Sequence, residues 1–216
     1  MKNLILGMMT IFVTIIVISS FIYTNFTFAQ TANQTSILQS PAVPQQQQQL
    51  QQTSFCKLTE SDMLGPFYKE DAPFKPRLGE GIEGERLIIT GKVMDTSCQP
   101  LKDAILDIWQ ANSTGEYDNE GFDLRGKIKT DEHGNYRIDT ILPKEYSTGD
   151  ITRPGHIHLK VGVPNQPILA TQLYFEGDPY LTNMEAKSLI LKVKDENGIK
   201  TANFDFVVEY YDEYEK

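Results

Sequence analysis

Ala104-Ile105-Leu106-Asp107-Ile108-Trp109-Gln110 is the stretch whose pattern selects the fold class. Successive side chains of a β-strand point to opposite faces. Ile105, Asp107 and Trp109 therefore share one side, and Leu106, Ile108 and Gln110 the other. Upstream, residues 86–94 (RLIITGKVM) form a β-branched run that stops at a turn over residues 95–100. Downstream, short strands are expected at residues 127–130, 135–142, 156–163, 168–175, 189–193 and 203–210. Turn signals separate them: Asp131-Glu132-His133-Gly134, Pro164-Asn165-Gln166-Pro167, and Asn197-Gly198, which favours a hairpin between the last two. Helical signals are weak, a turn or two at residues 61–64 and 183–187. The expected fold is all-β, an antiparallel β-sandwich of about seven to eight strands with active-site loops at one end.

Further along, Arg153-Pro154-Gly155-His156-Ile157-His158 holds two of the chain's three histidines. Residues i and i+2 of a strand face the same way, so His156 and His158 offer two imidazoles to one point. Many such pairs are plain surface residues. Here Pro154 and Gly155 place the pair at the entry of a strand, and Arg153 sets a fixed positive charge beside it. A cation weakens a metal site but serves an anionic substrate or intermediate.

The sandwich does not occupy the whole 216-residue chain. Residues 1–29 have the composition of a secretory signal peptide: Lys2, an apolar run over residues 4–23, and the small-x-small end Thr27-Phe28-Ala29. That run approaches the length needed to cross a bilayer, so an uncleaved N-terminal membrane tether is the alternative. Either way the folded part is expected to be extracellular or at the cell surface. Residues 30–53, rich in Gln, Ser, Thr and Pro, are expected to be a flexible linker. Residues 54–216 are the size of one domain. A net charge of -9 argues against nucleic acid as a partner. The two cysteines, Cys56 and Cys98, suggest a disulfide in an exported domain; the rival is a pair of free thiols or metal ligands. Neither has a second Cys or His at ligand spacing.

Ten tyrosines carry little information by number, but Tyr117 and Tyr146 fall on expected loops just past strands, where functional residues collect. Taken singly, each reads as a half-buried ring at a sheet edge. Taken with the histidines, they suggest a metal: phenolate is a hard anionic donor that, paired with imidazole, suits trivalent iron better than zinc or Cu(I).

The words around these residues resemble the intradiol ring-cleavage dioxygenases, the family of catechol 1,2-dioxygenase and protocatechuate 3,4-dioxygenase. Gly65-Pro66-Phe67-Tyr68, Gly91-Lys92-Val93-Met94-Asp95, Leu106-Asp107-Ile108-Trp109-Gln110-Ala111, Gly115-Glu116-Tyr117, Arg153-Pro154-Gly155-His156-Ile157-His158 and Thr171-Gln172-Leu173-Tyr174-Phe175 carry the likeness, in order. The resemblance implies a non-haem Fe(III) cofactor held by Tyr117, Tyr146, His156 and His158. Arg153 and Gln172 match residues beside the substrate, and Tyr146 the ligand displaced when substrate arrives. It implies cleavage of a catechol-type ring by O2, between the two hydroxyl-bearing carbons, to a cis,cis-muconate-type product. A Cys pair near Cys56 and Cys98 also occurs in the family's extracellular branch. Two departures stand out: no N-terminal helical domain of the kind used by the catechol-cleaving dimers, and only six residues between Tyr146 and Arg153. The second suggests an open site that takes larger catechols. Two rivals remain, a non-catalytic transthyretin-like binding module at the cell surface, and an exported copper or zinc protein using His156 and His158 alone.

Overall fold

Along one strand, His156–Gly162, the period of two separates a hydrophobic core from a polar site. Ile157, Leu159 and Val161 point one way and are fully buried; His156 and His158 point the other way and are buried too. Both faces of this strand are covered, which is why its sequence lacks the exposed polar positions of a one-sided sheet. The structure, a computed structural model, describes residues 55–183 and 185–212. The expected signal peptide and linker, residues 1–29 and 30–53, lie outside the described residues.

In chain order the strands are β1 (Arg86–Met94), β2 (Ile105–Gln110), β3 (Arg125–Lys129), β4 (Asn135–Ile141), β5 (Tyr146–Thr148), β6 (Ile151–Arg153), β7 (His156–Gly162), β8 (Leu169–Phe175), β9 (Ile190–Leu191), β10 (Lys194–Glu196), β11 (Ile199–Asn203) and β12 (Phe206–Val207). Two five-stranded sheets face each other. One runs β3-β2-β7-β8-β9; the other is β10-β11-β1-β12, with β4 also pairing β1. Leu87, Ile89 and Val93 of β1 and Ile138 of β4 meet Leu106, Ile108, Ile157, Leu159 and Leu173 from the opposite sheet in a single core.

The all-β sandwich is as expected, with more strands and a less uniform sense. Parallel pairs join β1 to β11 and β12, and β8 to β9, among otherwise antiparallel ladders. The Asn197-Gly198 turn closes β10 onto β11, rather than joining the two longer runs expected on either side. Residues 189–193 shorten to β9 after a 3-10 turn at Lys187–Leu189, and 203–210 to β12. The break between β11 and β12 has a local cause. Phe204 N–H bonds to the Thr90 carbonyl, and the Asp205 carboxylate takes the Lys92 N–H, so a side chain replaces the ladder for one step. Residues 61–64 form no helix. Tyr146 begins β5 rather than lying on a loop, because β5 and β6 form a small hairpin across residues 149–150.

Residues 55–78 form a strap without regular strands, whose middle, residues 62–68, crosses the outer face of the β2-β7-β8 sheet. Cys56 is disulfide-bonded to Cys98 at the β1–β2 turn, 42 residues on. Backbone bonds from Thr59 to Val207 and from Asp62 to Ala170 tie it further. By the chain-entropy argument a crosslink closing such a loop contributes about 4 kcal/mol.

Candidate metal centre

Register places the polar residues of three strands side by side beneath that strap. Trp109 of β2 stands opposite His158 of β7, and His158 opposite Gln172 of β8. One step along, His156 is opposite Tyr174. The strap crosses the same row: Tyr68 packs on Trp109 and Gly65 against His158, while the Met63 carbonyl accepts from Gln172 Nε2 and Asp62 from Tyr174.

Tyr117 enters from the loop between β2 and β3, and Tyr146 from the start of β5. Two glycines allow these segments to converge. A Cβ on Gly115 would lie 2.2 Å from the Glu145 carbonyl oxygen, so the Tyr117 loop rests directly on the backbone before Tyr146; its φ of +81° also favours glycine. A Cβ on Gly155 would lie 2.6 Å from the Pro143 carbonyl, so the same segment abuts the entry to β7. Arg125, buried under Tyr117, donates to the carbonyls of Asp118 and Phe67 and ties that loop to the strap.

The four expected ligands meet. His156 Nε2 and His158 Nε2 are 3.0 Å apart, and Tyr117 Oη is 3.5 Å from His156 Nε2. The Tyr146 ring centroid lies 5.6 Å from that of His156 and 5.5 Å from that of Tyr117. Phe67 stacks on Tyr117 at 4.2 Å and meets Tyr146 edge-on; Trp109 stacks on His158 at 5.0 Å. These apolar rings fix the donors and keep water from their flanks.

The chemistry of the donors suits a hard trivalent cation. His156 Nδ1 lies 2.6 Å from the Pro154 carbonyl, which can only accept, so Nδ1 holds the proton and the Nε2 lone pair faces the site. Burial, with Arg153 adding to it, lowers His156 to about 4; burial, then His156 and Arg153, lowers His158 to about 2. Both imidazoles are thus neutral and able to ligate near neutral pH. Burial, then the Tyr146 phenol, pushes Tyr117 well above the usual tyrosine range, so a strong positive charge is needed to make it a phenolate. With their Nε2 atoms 3.0 Å apart, His156 and His158 are close enough for both to hold one small cation. The side chains packed against the two histidines on the site face include the phenols of Tyr117 and Tyr146. That disfavours copper or zinc and fits iron(III).

Arg153 and Gln172 are hydrogen-bonded to each other next to the histidine pair, Gln172 standing opposite His158. Arg153 Nη2 donates to Gln172 Oε1 at 3.1 Å, and Gln172 is completely buried. A cavity of about 430 Å³ opens beside them, lined by Asp62, Met63, Ile151, Arg153, Tyr174 and Tyr180. A larger cavity, about 810 Å³, opens over Ile88, Thr90 and Arg137; neither cavity is lined by the four converging donors, and the smaller one adjoins them through Arg153 and Pro154. The sequence alone does not single out Asp62 or Tyr174. Tyr174 falls inside the motif Thr171-Gln172-Leu173-Tyr174-Phe175 with no role implied for it, and Asp62 inside the weak helical signal at residues 61–64, which points to no site.

Comparison with known proteins agrees with this geometry. Residues 64–210 match a protein family described as dioxygenase. A catechol 1,2-dioxygenase of Candida albicans is 37% identical over 150 residues, covering 58% of this chain and 50% of that protein. A chlorocatechol 1,2-dioxygenase of Rhodococcus opacus is 31% identical over 187 residues, 70% of this chain and 73% of that one. Among solved structures, the dioxygenase domain of a dioxygenase carbohydrate-binding protein fusion from Streptomyces sp. SirexAA-E superimposes with a TM-score of 0.66 at 34% identity. It covers 72% of this chain and 100% of that domain. This chain thus spans about half the length of some curated relatives and all of one solved domain.

Proposed function

The chain belongs to the intradiol ring-cleavage dioxygenase family, and from that premise we propose that it is an exported, non-haem Fe(III) enzyme. It would cleave catechol-type rings with O2, between the two hydroxyl-bearing carbons, to cis,cis-muconate-type products. The reading rests on one observation: two phenol rings from separate segments packed against two imidazoles of one strand whose Nε2 atoms are 3.0 Å apart. A non-catalytic transthyretin-like module finds no support in the comparisons.

Tyr117, Tyr146, His156 and His158 would hold the iron. Bound ferric iron would supply the Lewis acidity that binds a catechol through both oxygens and the redox partner that makes its ring reactive toward O2. The protein's own groups do the rest. Tyr146 is only partly buried and sits on the three-residue β5, so its phenol has the freedom to withdraw and take a catechol proton on Oη. Phe67 and Trp109 exclude water from the donors. Arg153 places a fixed cation where negative charge develops on the ring, and Gln172 holds the guanidinium in that direction. The overall change balances: catechol plus O2 gives muconic acid, both oxygen atoms being retained in the product.

The short β5–β6 hairpin and the exposed Ile151 leave the cavity open at its rim, in support of larger substituted catechols as substrates. Export is supported by the apolar segment at residues 4–23 and by the Cys56–Cys98 crosslink, which suits an oxidising compartment. The test is turnover by the iron-loaded protein of catechol, protocatechuate and a bulky substituted catechol, in air and under argon. Muconate-type absorbance should rise in air only, with the bulky substrate accepted. Ring products formed without O2, or none in air, would refute the assignment; strict preference for plain catechol would refute the open-site reading alone.

A further inference from the structure

Behind Arg153 lies a chain of hydrogen bonds that reaches the protein surface through two residues the reaction does not itself require. Gln172 Nε2 donates to the Met63 carbonyl at 2.6 Å, which fixes the amide with its oxygen toward Arg153. Arg153 Nη2 then donates both to Gln172 Oε1 and to Tyr174 Oη, each at 3.1 Å. Tyr174 is almost fully buried and has one proton to give. Two acceptors lie in reach, Gln172 Oε1 at 2.8 Å and the Asp62 carboxylate at 2.9 Å. A charged acceptor outcompetes a neutral amide oxygen, which is already engaged by the guanidinium. Asp62 is itself held, by its N–H on the Ala170 carbonyl and by Met63 N–H on Oδ1.

We propose that Asp62 and Tyr174 are positioning residues for Arg153: the carboxylate accepts the phenol O–H hydrogen bond, which leaves the phenol oxygen's lone pairs to accept from the guanidinium and aim it at the reacting ring. The proposal rests on the catalytic reading given above for Arg153. Without the carboxylate, the Tyr174 proton turns to Gln172 Oε1 and competes with Arg153 for the same oxygen. Without the phenol, one guanidinium N–H beside the cavity loses its acceptor. In either case the cation remains but its direction is lost, and such misplacement weakens rate more than binding.

A thermodynamic cycle separates this role from a structural one. Tyr174→Phe and Asp62→Asn are made in the full chain and again with Arg153→Ala, all loaded with ferric iron. Steady-state kcat and KM for catechol in air, catechol binding under argon by difference absorbance, and the melting temperature are measured. Tyr174→Phe should lower kcat about 10- to 100-fold, with KM and anaerobic binding within about twofold. Asp62→Asn should act in the same direction and less. Neither should lower kcat further once Arg153 is Ala. Equal losses with and without Arg153, an unchanged kcat in Tyr174→Phe, or a raised KM at constant kcat would each overturn the proposal while catechol turnover by the unmodified protein stands. An inert unmodified protein would remove the premise instead.

Discussion

At the scale of single residues, the histidine pair was the most legible part of the site, because spacing two on a strand fixes a common face whatever the rest of the fold does. Their spatial neighbours were less so. Asp62 and Tyr174 are 112 residues apart, and no local pattern links a lone acid to a buried phenol at that distance. The same holds for Asp139 of β4, which looks like an ordinary outward residue of an alternating strand. Its buried carboxylate receives Arg86 Nε at 3.0 Å and Nη2 at 2.6 Å, with Arg77 and Arg137 each at 3.6 Å. The hydrogen bonds from Arg86, and then the surrounding positive charge, hold it below the usual carboxylate range against the opposing effect of burial. A carboxylate lowered on folding binds fewer protons than it does unfolded, so it stabilises above its unfolded pKa of ~3.9 and that contribution fades as pH falls through the folded value. Asp139→Asn should therefore cost about 1.5–3 kcal/mol at pH 7. The difference should shrink toward zero in strong acid. Urea unfolding of both proteins across that range checks it; a deficit that persists unchanged at the acid end would show that charge is not the cause.

At the scale of elements, the β-branched or alternating runs of the sequence coincide with β1, β2, β4, β7 and β8 to within one residue at each end. The failures cluster in the last third of the chain. There β9 and β12 are two residues each and are defined by partners far away in sequence, not by their own pattern. Parallel pairing of β11 and β12 to β1 likewise depends on how the chain returns, which alternation does not encode. The β5–β6 hairpin is not legible in the sequence because Ser147 to Thr152 carries no hydrophobic period; its register sets Tyr146 opposite Arg153, a phenol beside a cation. The strap over residues 55–78 has no regular structure to recognise, yet it roofs the centre. Its anchor is the disulfide, so Cys56→Ser should lower stability by about 2–4 kcal/mol, read as a fall in the urea midpoint under oxidising conditions. Reductant should lower the unmodified protein to the same midpoint and leave the variant unmoved. A variant as stable as its parent would show that the strap is held without the crosslink.

At the scale of the whole molecule, the layered sandwich does two jobs with the two faces of one sheet. The inner face joins the core; the outer face, normally left to solvent in an antiparallel sheet, is covered and becomes the site. That division was visible in the sequence only as strands with too few polar positions. The ordered series of motifs carried the fold and family further than any composition did, since those words are spaced by the loops that bring Tyr117 and Tyr146 to the histidines. The account stands on that convergence. Its most direct measurement is iron content together with visible absorption of the protein loaded with ferric iron, alongside Tyr117→Phe and His158→Ala. One iron per chain and a strong phenolate-to-iron band, weakened by the first substitution and abolished with iron binding by the second, is the predicted result. Iron bound without colour, or bound equally well by both variants, would contradict a centre built from these four side chains.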